Sequence, residues 1–126
     1  MMLAASMAWR GARYAMAGVL PVDVEVLDAP QGHGYVVLSV DRPNAFFPVG
    51  LEIRAHEFHY SRIAGGLPAT ACAVLRGAGC GGGRDAMVTN RVWAGYAHMH
   101  AAGVPAWADG MMRAAREYRA EAGDRS

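Results

Sequence analysis

The chain has 126 residues, 53% of them hydrophobic, enough for one compact core and too few for two. Its arginines, with no lysine beside them, and its 11 acidic residues leave a net charge of +1, so no basic footprint points to nucleic acid. Two cysteines, Cys72 and Cys80, form neither a disulfide framework nor a Cys-x-x-Cys pair, which fits a reducing cytoplasm. The apolar opening is far shorter than the roughly 20 residues of a membrane span, so no membrane anchor is expected.

Met1 to Trp9 lacks Gly and Pro and is rich in Met, Ala and Leu, and it reads as a helix ending before Gly11. Tyr14 to Val19 and Val22 to Leu27 are short apolar or alternating stretches split by Pro21. Tyr35 to Val40 reads as a strand between Gly34 and the turn cluster Asp41-Arg42-Pro43-Asn44. Further strands are expected at Leu51 to Tyr60, Ala69 to Arg76, Ala86 to Val88 and Val92 to Tyr96, with Gly77 to Gly83 as a mobile turn. A last helix starts near Pro105, where Trp107, Met111, Ala115 and Tyr118 recur close to the 3.6-residue period and form a stripe expected to pack on the sheet. Arg113, Arg116, Glu117, Arg119 and Glu121 alternate in sign as a solvated helix face does. The pattern predicts an α/β fold, with one domain over residues 1–122, a frayed polar tail over 123–126, and no repeat or linker.

Arg54-Ala55-His56-Glu57-Phe58-His59-Tyr60-Ser61 resembles the Gly-His-Glu-Phe-His-Tyr-Ser motif of cobyrinate a,c-diamide synthases. Three further pieces fall in the order of that family: Met16-Ala17-Gly18-Val19-Leu20-Pro21, Gly34-Tyr35-Val36, and Ala94-Gly95-Tyr96-Ala97-His98-Met99-His100. The resemblance covers nearly the whole chain and is to the C-terminal class I glutamine amidotransferase domain. Gly32-His33-Gly34 and Asp41-Arg42-Pro43-Asn44 resemble a branch linked to siroheme amidation and dissimilatory sulfite reductase. The resemblance implies a partial α/β mixed sheet with flanking helices. It also implies a reaction in which a cysteine thiolate attacks the side-chain amide of glutamine, a histidine activates it, and ammonia passes to a synthetase site. There ATP and Mg activate a carboxylate of a tetrapyrrole; on this domain itself no cofactor is implied. The family's nucleophile sits at a Cys-Gly-Gly turn between a strand and a helix, and no such segment precedes these motifs here. The chain is therefore expected to be truncated at its N-terminus, with the thiol supplied by a missing segment or a companion chain.

His98 follows the apolar run Val92 to Tyr96 and aligns with the histidine that activates the family's cysteine; the competing reading is a half-buried histidine bonded to backbone. His100 lies on the same face if the strand continues and is the runner-up for that role. On a strand, His56, Phe58 and Tyr60 face one side while Glu57, His59 and Ser61 face the other. His56, Glu57 and Tyr60 are expected to shape the substrate site, or else His56 and Tyr60 hold a buried hydrogen-bond network. Ala55 stands where the family has Gly, a strained choice if that position needs a positive φ. Cys80-Gly81-Gly82-Gly83 imitates the nucleophile turn but precedes no helical pattern, and Cys72 reads as core. Trp9, Trp93 and Trp107 read as core anchors. Two rival readings remain: a metal site built on His98-x-His100 with His56 or His59, and a non-catalytic remnant.

Overall fold

The structure is a computed structural model that describes residues 1–89 and 91–123. Its elements are β1 (Ser6–Trp9), β2 (Ala12–Ala15), β3 (Asp23–Val26), β4 (Gly32–Val40), β5 (Glu52–His59), β6 (Ser61–Ala64), β7 (Thr70–Arg76), β8 (Arg84–Thr89), β9 (Val92–Ala94) and α1 (Ala106–Gly123). The α/β expectation holds, and the strands divide into two sheets. One has the order β2-β1-β3-β6, the other β5-β4-β7-β8-β9.

The helix expected over Met1 to Trp9 is not there: its second half is a strand. Arg10 and Gly11 both adopt positive φ, 49° and 78°, which turns the chain back at once and pairs β1 with β2. On its other side β1 runs parallel to β3, and the Ser6 hydroxyl donates to Asp23 Oδ1 at 2.5 Å. Ladder pairing on both sides outweighs the few tenths of a kcal/mol per residue by which Met and Ala favour a helix. Trp9 sits at the end of this strand with 42% of its surface exposed, so it is not the core anchor expected of it.

The five-stranded sheet is antiparallel and alternates cleanly. Val36, Leu38 and Val40 of β4 and Ile53 of β5 point inward and are fully buried, while His33 and Tyr35 point outward. Each such aliphatic stabilises the fold by roughly 1.5–3 kcal/mol through burial. Its two edges meet. Beyond β9 the chain returns to the outer edge of β5, where His98 N donates to His56 O at 2.7 Å and His56 N donates to His98 O at 3.2 Å. A second core lies between the sheets and is built from Ala4, Leu20, Val22, Val24, Cys80 and Met87.

Helix α1 docks by a different face from the one its apolar period suggested. Gly110 and Ala114, one turn apart, are its buried residues; Trp107, Met111, Ala115 and Tyr118 are exposed. The reason is the closeness of the backbones: a Cβ on Gly110 would overlap the carbonyl oxygen of Phe46. Arg113 strengthens the contact by donating to that same carbonyl at 3.0 Å. Trp93, by contrast, packs as expected, its ring 4.8 Å from that of Phe47. Gly123 ends α1, and the rest of the expected tail lies outside the described residues. Among the described residues no helix is long and apolar enough to cross a membrane.

Candidate functional site

The site is built around β5 and the segment that clasps it. Alternation along β5 sends Glu57, His59 and Ser61 into the protein and His56, Phe58 and Tyr60 out of it. This reverses the network expected of His56 and Tyr60, because the inward row of β5 is the one that carries Ile53. Ala55 does not adopt a positive φ; the non-glycine residues that do are Arg10, Ala86 and Arg91, so no strain attends the Gly-to-Ala difference.

The buried network is made by the inward row. Glu57 is 2% exposed and spends both carboxylate oxygens on backbone: Ala78 N–H donates to Oε1 at 2.6 Å and Gly79 N–H to Oε2 at 2.9 Å. These bonds pin the glycine-rich connection between β7 and β8, and Gly77 is needed there because a Cβ would stand 2.7 Å from Glu57 Oε1. His59 Nδ1 lies 2.8 Å from the Ser61 carbonyl, which fixes a proton on Nδ1. Its Nε2 is buried without a hydrogen-bond partner among the described residues and lies 3.6 Å from Glu57 Oε2. The His59 ring stacks on Tyr96, centroids 3.7 Å apart and planes 8° from parallel, and the Tyr96 hydroxyl shares a 2.8 Å hydrogen bond with Ser61. Burial raises the Tyr96 phenol above its ordinary pKa.

The outward row is a ladder of rings. Tyr35 and His56 stand edge to face at 6.1 Å, His33 and Phe58 at 5.2 Å, and Phe58 and Tyr60 at 5.5 Å. His98, opposite His56 in an antiparallel bridge, presents its side chain on this same face and is exposed. A pocket of about 400 Å³ opens where the ladder meets the clasp, lined by Phe58, Tyr60, Ser61, Tyr96 and His98 among others. A larger apolar cleft of about 480 Å³ runs between the sheets and shares Met1, Gly95 and Tyr96 with it.

Not every expected site residue gathers there. His100 is exposed beyond the end of β9, which stops at Ala94, and its Nδ1 accepts the Ala102 N–H at 3.2 Å; it organises a turn and does not line the pocket. Cys80 is buried, and its thiol donates to Asp85 Oδ1 at 2.9 Å. Burial first, and the Asp85 charge after it, push this thiol well above its ordinary pKa, and it stands between two strands instead of before a helix. Burial likewise pushes Cys72 up to about 12. Both thiols are held protonated and out of reach, the opposite of an activated nucleophile. Among the described residues no three of His, Cys, Asp and Glu gather as a metal site.

Sequence reasoning missed Asp85. It is fully buried, and its carboxylate accepts the N–H groups of Ala86, Tyr96 and Ala97 at 2.8, 3.1 and 3.1 Å, besides the Cys80 thiol. The available signal was an acidic residue abutting the apolar run Ala86 to Val88; its sequence neighbour Arg84 turns away to pair with Asp41.

The described residues thus present a mixed α/β fold in which an exposed histidine lines a pocket beside a buried network that pins a glycine-rich connection. Residues 1–106 match the CobB/CobQ-like glutamine amidotransferase domain, and the chain belongs to that family. It is 37% identical over 119 residues to a cobyrinate a,c-diamide synthase of Magnetococcus marinus, covering 93% of this chain and 26% of that protein. A cobyrinate a,c-diamide synthase of Methanothermobacter thermautotrophicus is 36% identical over 82% of this chain and 23% of its own length. One of Halobacterium salinarum is 40% identical over 68% of this chain and 20% of its own length. The chain thus spans about a quarter of the length of these curated relatives.

Proposed function

We propose that this chain is the histidine-bearing part of a glutaminase that feeds ammonia to an ATP-dependent ligase, one that converts carboxylates of cobyrinate or a related tetrapyrrole to amides. The observation that carries this reading is the placement of His98. It is exposed, on a loop anchored from behind, at the rim of a pocket floored by Ser61 and Tyr96. In the reaction a thiolate attacks the side-chain amide carbon of glutamine, the C–N bond breaks as a C–S bond remains, and ammonia leaves. Water then hydrolyses the thioester to glutamate. His98 takes the thiol proton and returns it to the departing nitrogen.

The thiol comes from outside these 126 residues, because Cys72 and Cys80 are both buried and held protonated. The apolar cleft between the sheets, which shares Met1, Gly95 and Tyr96 with the His98 pocket, is a seat of suitable character for the segment that brings it. Glu57 and Tyr60 act on the site indirectly, the first by fixing the Gly77–Cys80 connection and the second as part of the pocket wall; His56 supports His98 through the bridge. ATP and Mg belong to the synthetase part, and no cofactor is assigned to this domain. The free cysteines fit a cytoplasmic setting.

The test is glutamate release from glutamine by this chain assembled with the polypeptide that carries the thiol. His98→Asn is expected to lower kcat roughly 100- to 10,000-fold, the range spanned by general acid–base catalysis, while His100→Asn leaves it within about threefold. Unaltered turnover in His98→Asn would overturn the assignment.

A further inference from the structure

We infer that Asp85 is the positioning residue of this site: its buried carboxylate sets where His98 stands. The inference rests on the reading of His98 given above, and the geometry behind it is specific. His98 is held from two sides. On one side its backbone N–H reaches His56 O at 2.7 Å. On the other, the two residues before it, Tyr96 and Ala97, direct their N–H groups to Oδ1 and Oδ2 of Asp85, each at 3.1 Å. The loop cannot drift along this carboxylate, because Gly95 lies against it so closely that a Cβ there would stand 2.5 Å from Asp85 Oδ1.

A second observation comes from the far side of the carboxylate. Ala86 is buried with φ at 61°, a left-handed conformation unfavourable for any residue with a Cβ, and its N–H is turned onto Asp85 Oδ1 at 2.8 Å. β8 is strained locally so that one carboxylate can face its own backbone and the loop that leads to His98. A fully buried acidic residue persists when hydrogen-bond donors surround it, and among the described residues four donors surround Asp85 and no cation pairs with it.

The division of donors between the two oxygens makes the inference testable in this chain by itself. Among the described residues Oδ1 takes Cys80, Ala86 and Tyr96, and Oδ2 takes Ala97. In Asp85→Asn the oxygen keeps the three-donor position, and the new NH2 faces the Ala97 N–H, donor against donor, one residue from His98. Nuclear magnetic resonance on the folded variant is expected to show displaced imidazole signals for His98 and unmoved ones for His33. Amide exchange at His98 is expected to quicken about tenfold, with exchange at Leu38 in the buried sheet unchanged. A merely structural role would quicken both alike and leave the imidazole where it was. Cys80→Ala, which removes only the sulfur donor, is expected to leave His98 in place.

Where Asp85→Asn does not fold, Gly95→Ala answers the same question by pressing a methyl on the carboxylate without removing it, and it should move His98 in the same way. His98 signals unmoved in a folded variant of either kind would overturn the inference. Because these readouts report the position of His98 and not its chemistry, loss of the glutaminase reading would show instead as full turnover in His98→Asn.

Discussion

Glu57→Gln separates what the buried carboxylate does from what its shape does. Glutamine has the same outline, so packing survives, but only one of its two terminal atoms accepts. The carboxylate uses both: Oε1 for Ala78 at 2.6 Å, Oε2 for Gly79 at 2.9 Å. One orientation of the amide sets its NH2 against Ala78, with no return. The other sets it against Gly79 but directs a proton to His59 Nε2, the buried atom otherwise lacking a partner. The second is preferred. Loss of one charge-assisted bond at a buried N–H costs roughly 1.5–3 kcal/mol, and the new bond to His59 returns about 1. With the remaining bond to Ala78 weakened by loss of charge, the net destabilisation is about 2 kcal/mol. For a chain of this length that is a fall in Tm of about 8 °C, readable by circular dichroism. Amide exchange should quicken at Gly79 more than at Ala78. A Tm within 1 °C of the parent, or faster exchange at Ala78 alone, would refute the account of Glu57 as the pin of the β7–β8 connection.

Gly110→Ala improves helix propensity by up to about 1 kcal/mol, yet it should lower stability by about 2 kcal/mol net, because the methyl overlaps the Phe46 carbonyl and α1 must retreat; a Tm at or above the parent's would unseat that docking. Iodoacetamide at pH 8 should label Cys72 and Cys80 at least about a hundredfold more slowly in the folded chain than in urea, as their burial and raised pKa require. By linkage, a thiol raised on folding stabilises fully below its ordinary pKa, and that contribution is lost as pH rises, so the urea midpoint should fall between pH 9 and 12. On the acid side, the hydrogen bonds from Arg84 hold the Asp41 carboxyl below its ordinary value of 3.8, so its contribution is present above that pH and lost as pH falls through and beneath it. Asp41→Asn should therefore show a smaller loss of Tm between pH 5 and pH 3 than the parent.

The strands that pair within the larger sheet were legible because each alternates or runs apolar between turn residues, as Tyr35 to Val40 and Ala69 to Arg76 do. What escaped was decided at a distance. Met1 to Trp9 carries helix-forming residues, and only the return at Arg10-Gly11 and a partner seventeen residues away make a strand of its end. The two-sided character of β5 was readable, yet which side is buried turned on Ile53, whose parity with Glu57 and His59 points all three inward. The apolar period of α1 misled because its contact is a backbone approach, which selects small residues and leaves large ones outside. Among the site residues, His98 stood out through its motif, while Asp85, Ser61 and Tyr96 work through contacts between β-strands that no local pattern encodes.

The order of strands also bears on how the chain finds its fold. β3 and β6 pair antiparallel, Val26 against Ser61, with all of β4 and β5 lying between them. Formed alone, that contact would close a loop of more than thirty residues. But β4 and β5 pair so that Gly32 meets His59, which already delivers the ends of β3 and β6 to one another. The β4–β5 hairpin thus shortens the effective loop to a few residues, and the entropic penalty of the long-range pairing is met in stages instead of at once. The parallel β1–β3 contact gains nothing from this arrangement, since the chain between them runs outside the hairpin, and the central pair of the smaller sheet is where slow closure should be sought.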